Sequence, residues 1–212
     1  MRTDKDTPIA VAATGTANTA SVLAAFRRLG LEARVVHEPA ALRDAPLAVL
    51  PGVGTLEPAM ASLEARGLAG VLRERVEARR PTLAICLGMQ LLCRDSEESP
   101  GIPGLGCVPA TIRRLPAGVR VPHMGWNQVA PGACSLLEPG EAYFAHSFAL
   151  AEPPRGWSAA TTPYPTPFVS ALQRGAVLAC QFHPELSGSW GSRLLARWAE
   201  QGRSAVAGGA PC

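Results

Sequence analysis

Short, wholly apolar runs recur through the first half of the chain, and between them apolar residues return at helical spacing. Ile9 to Ala13 is the first run, followed by a small-residue loop from Thr14 to Ala20. Val22, Phe26 and Leu29 then share one helical stripe that stops at Gly30. Ala33 to Val36 and Leu47 to Leu50 predict two more strands. Met60, Leu63, Leu68, Val71, Leu72 and Val76 predict one or two amphipathic helices, and the run after Pro81 predicts another buried strand. Strands that alternate with helices need crossover connections, which constrains this part to a mainly parallel sheet. In such sheets, sites form at the carboxyl ends of strands.

The pattern changes after Arg94. Pro100 to Pro122 is rich in Gly and Pro and predicts hairpins or edge strands, and Val121 to Asn127 reads as a dense aromatic and polar loop. Ala142 to Leu150 and Phe168 to Leu172 predict strands of an antiparallel second half, with Gln173 to Ala176 as a hairpin turn into a strand from Val177. The sheet is therefore predicted to be mixed. A last helix starts near Ser187 to Ser189 and uses Leu194, Leu195 and Trp198 as its stripe, with fraying expected beyond Gly202.

At 212 residues the chain suits one sizeable domain, and 47% apolar with 17% charged residues is globular composition. The formal charge is only +3, with arginines scattered in helical contexts, which predicts a solvated face rather than a nucleic-acid groove. No apolar stretch reaches the roughly 18 residues of a membrane span. The run after Met1 to Asp6 is too short for a signal peptide, so a cytoplasmic protein with no membrane partner is expected. The six cysteines (86, 93, 107, 134, 180 and 212) form no CxxC pair and no zinc spacing with His, so free thiols are expected.

Cys86 falls where the strand after Pro81 meets a helix read from Leu87 to Cys93. A sharp turn there lifts a side chain out of the sheet, aims the positive end of the helix at it, and needs small neighbours such as Ala84 and Gly88. The plain alternative is a small buried cysteine closing a strand. Gly52-Val53-Gly54 sits at another strand end, where two glycines let a peptide turn its N–H toward a site. Gln181-Phe182-His183-Pro184-Glu185 follows the strand from Val177. In extended backbone residues two apart face the same way, so His183 and Glu185 reach one site, and together with Cys86 they compose a Cys-His-Glu triad. His37 reads as a surface residue. His123 and His146 lie near the site or an interface, where packing or a backbone hydrogen bond explains either equally well.

Four stretches give this chain a resemblance to the class I glutamine amidotransferases: Leu50 to Gly54, Ile85 to Leu92, Val121 to Asn127, and Gln181 to Glu185. Within them it is most similar to the glutaminase subunits of imidazole glycerol phosphate synthase, and Pro122-His123-Met124-Gly125-Trp126-Asn127 is the most specific stretch. Tyr143 to Phe148 also looks like the family's strand near its glutamine pocket. The resemblance implies an α/β fold, a flavodoxin-like single-domain three-layer sandwich with a mixed, mainly parallel central sheet. It places a type 1 amidotransferase domain at 1–202 and a flexible tail at 203–212.

The same resemblance implies Cys86 as nucleophile, His183 as acid and base, Glu185 as its orienter, and the backbone N–H groups of Val53 and Leu87 as oxyanion hole. Gly52, Gln90, Ser147 and Phe148 match positions lining the pocket for L-glutamine. It implies no metal or organic cofactor, and a heterodimer with a barrel-shaped cyclase subunit in histidine biosynthesis that receives the ammonia. Asn18, Met124 and Trp126 match positions facing that cyclase. The chain departs from the family where Ala84 and Ala17 replace glycines and Leu186 replaces a lysine. Amidotransfer to another acceptor, a stand-alone elbow-cysteine hydrolase and a non-catalytic binding subunit are the other readings. The Val121 to Asn127 stretch argues against the first two, and the filled triad argues against the third.

Overall fold

The computed structural model describes residues 7–15 and 18–208, so the N-terminal hexapeptide, Ala17 and Cys212 lie outside the described residues. The first half alternates as expected: β1 (Ile9–Ala12), α1 (Thr19–Arg28), β2 (Ala33–Val36), α2 (Pro39–Asp44), β3 (Ala48–Leu50), α3 (Leu56–Ala65), α4 (Leu68–Glu77), β4 (Thr82–Ile85) and α5 (Leu87–Leu92). The second half is strand-rich: β5 (Cys93–Ser96), β6 (Val108–Arg114), β7 (His123–Val129), β8 (Gly140–His146), β9 (Phe148–Ala149), β10 (Ser158–Thr162), β11 (Phe168–Arg174) and β12 (Val177–Cys180), closed by α6 (Gly188–Ala207).

A seven-stranded sheet runs β10-β11-β12-β4-β3-β1-β2. The five strands from β12 to β2 are mutually parallel, and β11 and β10 add antiparallel at one edge. Alternation sorts the side chains into two cores. Ala10, Ala12, Ala48, Leu50, Ala84 and Ala179 pack with Met60, Leu63, Leu72 and Met89 of α3, α4 and α5. Ile9, Val11, Val49, Leu83, Ile85 and Leu178 pack with Val22 and Phe26 of α1 and Leu194, Leu195 and Trp198 of α6. The result is helix, sheet, helix: three layers, with each fully buried Leu or Ile contributing roughly 1.5–3 kcal/mol. No helix among the described residues is long and apolar enough to cross a membrane.

Several expectations are corrected. Val121 to Asn127 is a loop only at its start, since β7 begins at His123 and pairs antiparallel with β8 from His123↔His146 to Val129↔Gly140. Its residues alternate, with His123 and Val129 buried and Met124 and Trp126 exposed; the aromatic and polar composition masked that period. α5 stops at Leu92 and Cys93 opens β5, while α2 and β10 were not anticipated. α6 continues through Ala207 past Gly202, because that glycine is a contact and not a stop. A Cβ there would meet Pro81 Cβ at 2.9 Å, so its absence lets the helix lie against the entry to β4.

Buried Arg75 ties α4 to the segment entering β3. Its guanidinium donates to the carbonyls of Leu42, Arg43, Ala45, Pro46 and Pro81. Five acceptors replace the hydration that burial removes.

Candidate active site

Strands β12, β4 and β3 are neighbours and parallel, so their carboxyl ends meet at one edge of the sheet. β3 leads into Pro51 to Gly54, β4 into Cys86, and β12 into Gln181 to His183. Register keeps these ends level: Leu50 pairs with Ala84, Ile85 with Cys180, and Cys86 N–H donates to the Cys180 carbonyl at 2.7 Å.

Cys86 has φ 53° and ψ −110°, a left-handed turn that a non-glycine residue holds only under strain. Glycines make the turn possible. A Cβ at Gly88 would lie 2.0 Å from the Leu50 carbonyl oxygen, and one at Gly52 would lie 2.8 Å from Leu87 Cβ and 3.1 Å from Gly88 N. α5 can therefore start directly against the end of β3, with the glycine loop over its first turn. Met89 and Gln90 N–H donate back to the Cys86 carbonyl at 3.0 and 3.3 Å, and Leu87, which lines the cavity beside Cys86, and Gly88 open the helix with N–H groups that no intrahelical carbonyl can reach. Ala84 is fully buried in the core beneath, so its methyl is accommodated.

His183 is extended (φ −104°, ψ 93°), but Pro184–Leu186 forms a 3-10 turn. Strand alternation thus does not bring the imidazole and carboxylate together as expected. The turn folds Glu185 back, and His183 Nδ1–H donates to its Oε1 at 2.8 Å. Ser187 Oγ donates to the His183 carbonyl and His183 N–H to that of Tyr143, which fixes the ring's base. Burial pulls the imidazole pKa down. The neighbouring Cys86 and Glu185, the latter through the 2.8 Å hydrogen bond, outweigh that and push it up to about 10.

A cavity of about 200 Å³ opens over this group. Val53, Leu87, Gln90, Ser147 and Phe148 line it with Cys86 and His183, whereas Gly52 is buried behind. Two further residues belong here. Gln181 Nε2 donates to Cys86 Sγ at 3.7 Å, and Gln181 Oε1 accepts from Gln90 Nε2 at 3.0 Å. Gln90 Nε2 also donates to the Phe148 carbonyl at 3.1 Å, so both its N–H groups are committed. Glu98 also lines the cavity, with Oε2 buried and unpartnered; burial raises its pKa against a hydrogen bond from Leu56 N–H. Sequence reasoning placed Gln181 within a motif without a role and missed Glu98. In Asp95 to Glu98 nothing marks one acid from the next, yet Glu97 turns out to Arg113 at 2.9 Å while Glu98 turns in.

The three residues matched to a partner surface sit on two elements. Asn18 caps α1, accepting from Ser21 N–H at 3.3 Å. Met124 and Trp126 stand 64% and 55% exposed on the outer side of β7, with Leu186 exposed as well, and a Cβ at Gly188 would lie 3.6 Å from the Trp126 ring. His37 is exposed, and the described cysteines are free. Among the described residues no group of three or more His, Cys, Asp or Glu is placed to hold a metal ion.

Residues 11–200 match the family described as glutamine amidotransferase class-I. A Moorella thermoacetica protein named imidazole glycerol phosphate synthase subunit HisH is 42% identical over 203 residues, 93% of this chain and 97% of that relative. One of the same name from Methanothermobacter thermautotrophicus is 41% identical over 196 residues, 91% and 98% of the two chains. A crystal structure of a glutamine amidotransferase shares the fold at TM-score 0.75 and 22% identity, covering 92% of this chain and 98% of that one.

Proposed function

The chain belongs to the class I glutamine amidotransferases, and from that premise we propose that it is the glutaminase subunit of an imidazole glycerol phosphate synthase, acting in histidine biosynthesis. One observation carries the chemistry: a strained elbow cysteine shares a cavity with a histidine whose far nitrogen is held by a buried glutamate.

Cys86 Sγ attacks the side-chain amide carbon of glutamine. The oxyanion forms against the N–H of Leu87 at the start of α5, with that of Val53 as second donor. His183, already protonated, gives its proton to the departing nitrogen as the C–N bond breaks, releasing ammonia and leaving a γ-glutamyl thioester on Cys86. Water then attacks the thioester with His183 as base, the C–S bond breaks, and glutamate leaves. Glu185 keeps Nδ1–H engaged so that the other nitrogen always faces the sulfur. With both N–H groups of Gln90 committed, its Oε1 is left as an acceptor toward substrate. The unpartnered Oε2 of Glu98 suits the α-ammonium group.

Ammonia released to neutral water becomes mostly ammonium, which is no nucleophile, so direct transfer to a cyclase follows from the chemistry. Exposed Met124, Trp126 and Leu186 offer such a partner an apolar face.

Glutamine hydrolysis by the chain alone, then with the cyclase subunit and its nucleotide ligand, tests this for wild type and Cys86→Ala. Weak activity alone, strong activity in the complex and none for Cys86→Ala are expected, with the variant complex still cyclising on added ammonium. Equal activity with and without cyclase favours a stand-alone hydrolase, and inactivity throughout favours a binding subunit.

A further inference from the structure

Two histidines that the triad does not use lie buried beside the cavity, in a chain of hydrogen bonds whose direction is fixed at both ends. At the inner end His146 Nδ1 is 2.9 Å from the Phe148 carbonyl. A carbonyl only accepts, so Nδ1 carries the hydrogen and neutral His146 presents a bare Nε2. That Nε2 is 3.0 Å from His123 Nδ1, which must therefore donate. His123 is left with a bare Nε2, 3.2 Å from Asn127 Nδ2. At the outer end, Asn127 Nδ2 also donates to the Pro163 carbonyl at 2.9 Å, and its Oδ1 accepts from Gln128 N–H at 2.8 Å, so the amide cannot be turned round. Stacking of His123 between Tyr164 at 4.0 Å and Phe144 at 4.8 Å holds the ring in place.

The chain ends on an atom that matters. The Phe148 carbonyl accepts from His146 and from Gln90, whose second N–H runs to Gln181 and so to Cys86 Sγ. Aromatic neighbours surround both rings, and a phenylalanine at 146 would meet that packing without needing any polar partner. Two buried imidazoles in an aromatic core are high-stakes groups unless every atom is satisfied, and here they are.

We propose that Asn127, His123 and His146 are positioning residues of the glutaminase site. As a one-way relay of neutral groups they hold the Phe148 carbonyl, and through it the Gln90 and Gln181 carboxamides, in register with Cys86. This rests on the glutaminase reading for its kinetic consequence but not for its hydrogen-bond direction. The relay also lies on the inner side of β7, whose outer side carries Met124 and Trp126, so one strand presents the exposed apolar face and anchors the pocket.

Two measurements test it. Nitrogen-15 NMR of the imidazoles in the full wild-type chain should show His123 and His146 both neutral and both protonated at Nδ1 at neutral pH; either ring as the Nε2–H tautomer or as imidazolium overturns the relay. Glutaminase kinetics in the cyclase complex should then separate two variants. His146→Phe keeps the volume but leaves the Phe148 carbonyl with Gln90 as its one side-chain donor and the His123 Nδ1–H without an acceptor, and kcat/KM for glutamine should fall roughly 10- to 100-fold, chiefly through KM. His146→Asn, whose amide N–H can occupy the Nδ1 position, should regain most of that loss. Equal activity of the two variants, or an unchanged KM in His146→Phe, overturns the proposal. A wild-type complex with no glutaminase activity overturns the functional reading instead, and the tautomers still decide the relay.

Discussion

Replacing Gly88 with alanine puts the elbow geometry to a quantitative test. The added Cβ would lie 2.0 Å from the Leu50 carbonyl oxygen, 1.4 Å inside the 3.4 Å of ordinary contact. Neither party is the end of a flexible side chain: one is the backbone of β3, paired on both sides, and the other opens α5. Relief therefore requires α5 and Cys86 to shift by about an ångström. Overpacking of this kind costs roughly 1–3 kcal/mol or more, and misplacing a nucleophile by about 1 Å costs on the order of 100-fold in rate. Gly70→Ala is the matched control. Gly70 lies in α4 with nothing within 4 Å of its Cβ position, so alanine there should stabilise by about 0.5–1 kcal/mol through helix propensity. Urea unfolding and glutaminase assays on both variants give the readout. Gly88→Ala with wild-type stability and rate, or Gly70→Ala as the less stable of the two, would refute the packing account of the elbow.

Other outcomes follow from the same contacts. Burial holds the His146 pKa down at about 3, so below about pH 6.5 the unfolded chain takes up a proton that the folded one refuses. The stability from keeping this ring neutral is complete above that pH and is lost as pH falls, about 2 kcal/mol between pH 7 and 5, measurable by urea unfolding at each pH. Arg75→Met would leave buried carbonyls unpartnered and should cost roughly 3 kcal/mol or more in urea unfolding, with Arg75→Lys recovering only part because one ammonium cannot span five acceptors. Glu98→Gln should raise KM for glutamine roughly tenfold or more with a smaller change in kcat, since it removes the charge set against the substrate ammonium. Trp126→Ala should weaken association with the cyclase by on the order of 2 kcal/mol, read by calorimetric titration.

What the sequence disclosed and what it hid divide along a physical line. Most of the parallel core was legible because β1, β3 and β12 are apolar on both faces and α1, α3 and α4 carry their own stripes, so local pattern and tertiary role coincide at Val11, Val49 or Leu178; α2, with Leu42 as its one buried residue, carries no such stripe. Cys86, His183 and Glu185 were legible because few other reasons place those residue types after two adjacent strand ends, although the route was a 3-10 turn and not an extended pair. β7 was hidden because its buried positions are His123 and Val129 and its outward ones Met124 and Trp126, reversing the usual signs of inside and outside. Glu98, Gln181 and the His123–His146 relay were hidden for a different reason. Their roles reside in partners far away in sequence, a carbonyl 58 residues from Gln90 or a ring 23 residues from His123, and no window of local pattern carries such a pairing. Sequence motifs therefore mark the atoms that react, and the long-range hydrogen bonds that hold those atoms still become visible only once the chain is folded.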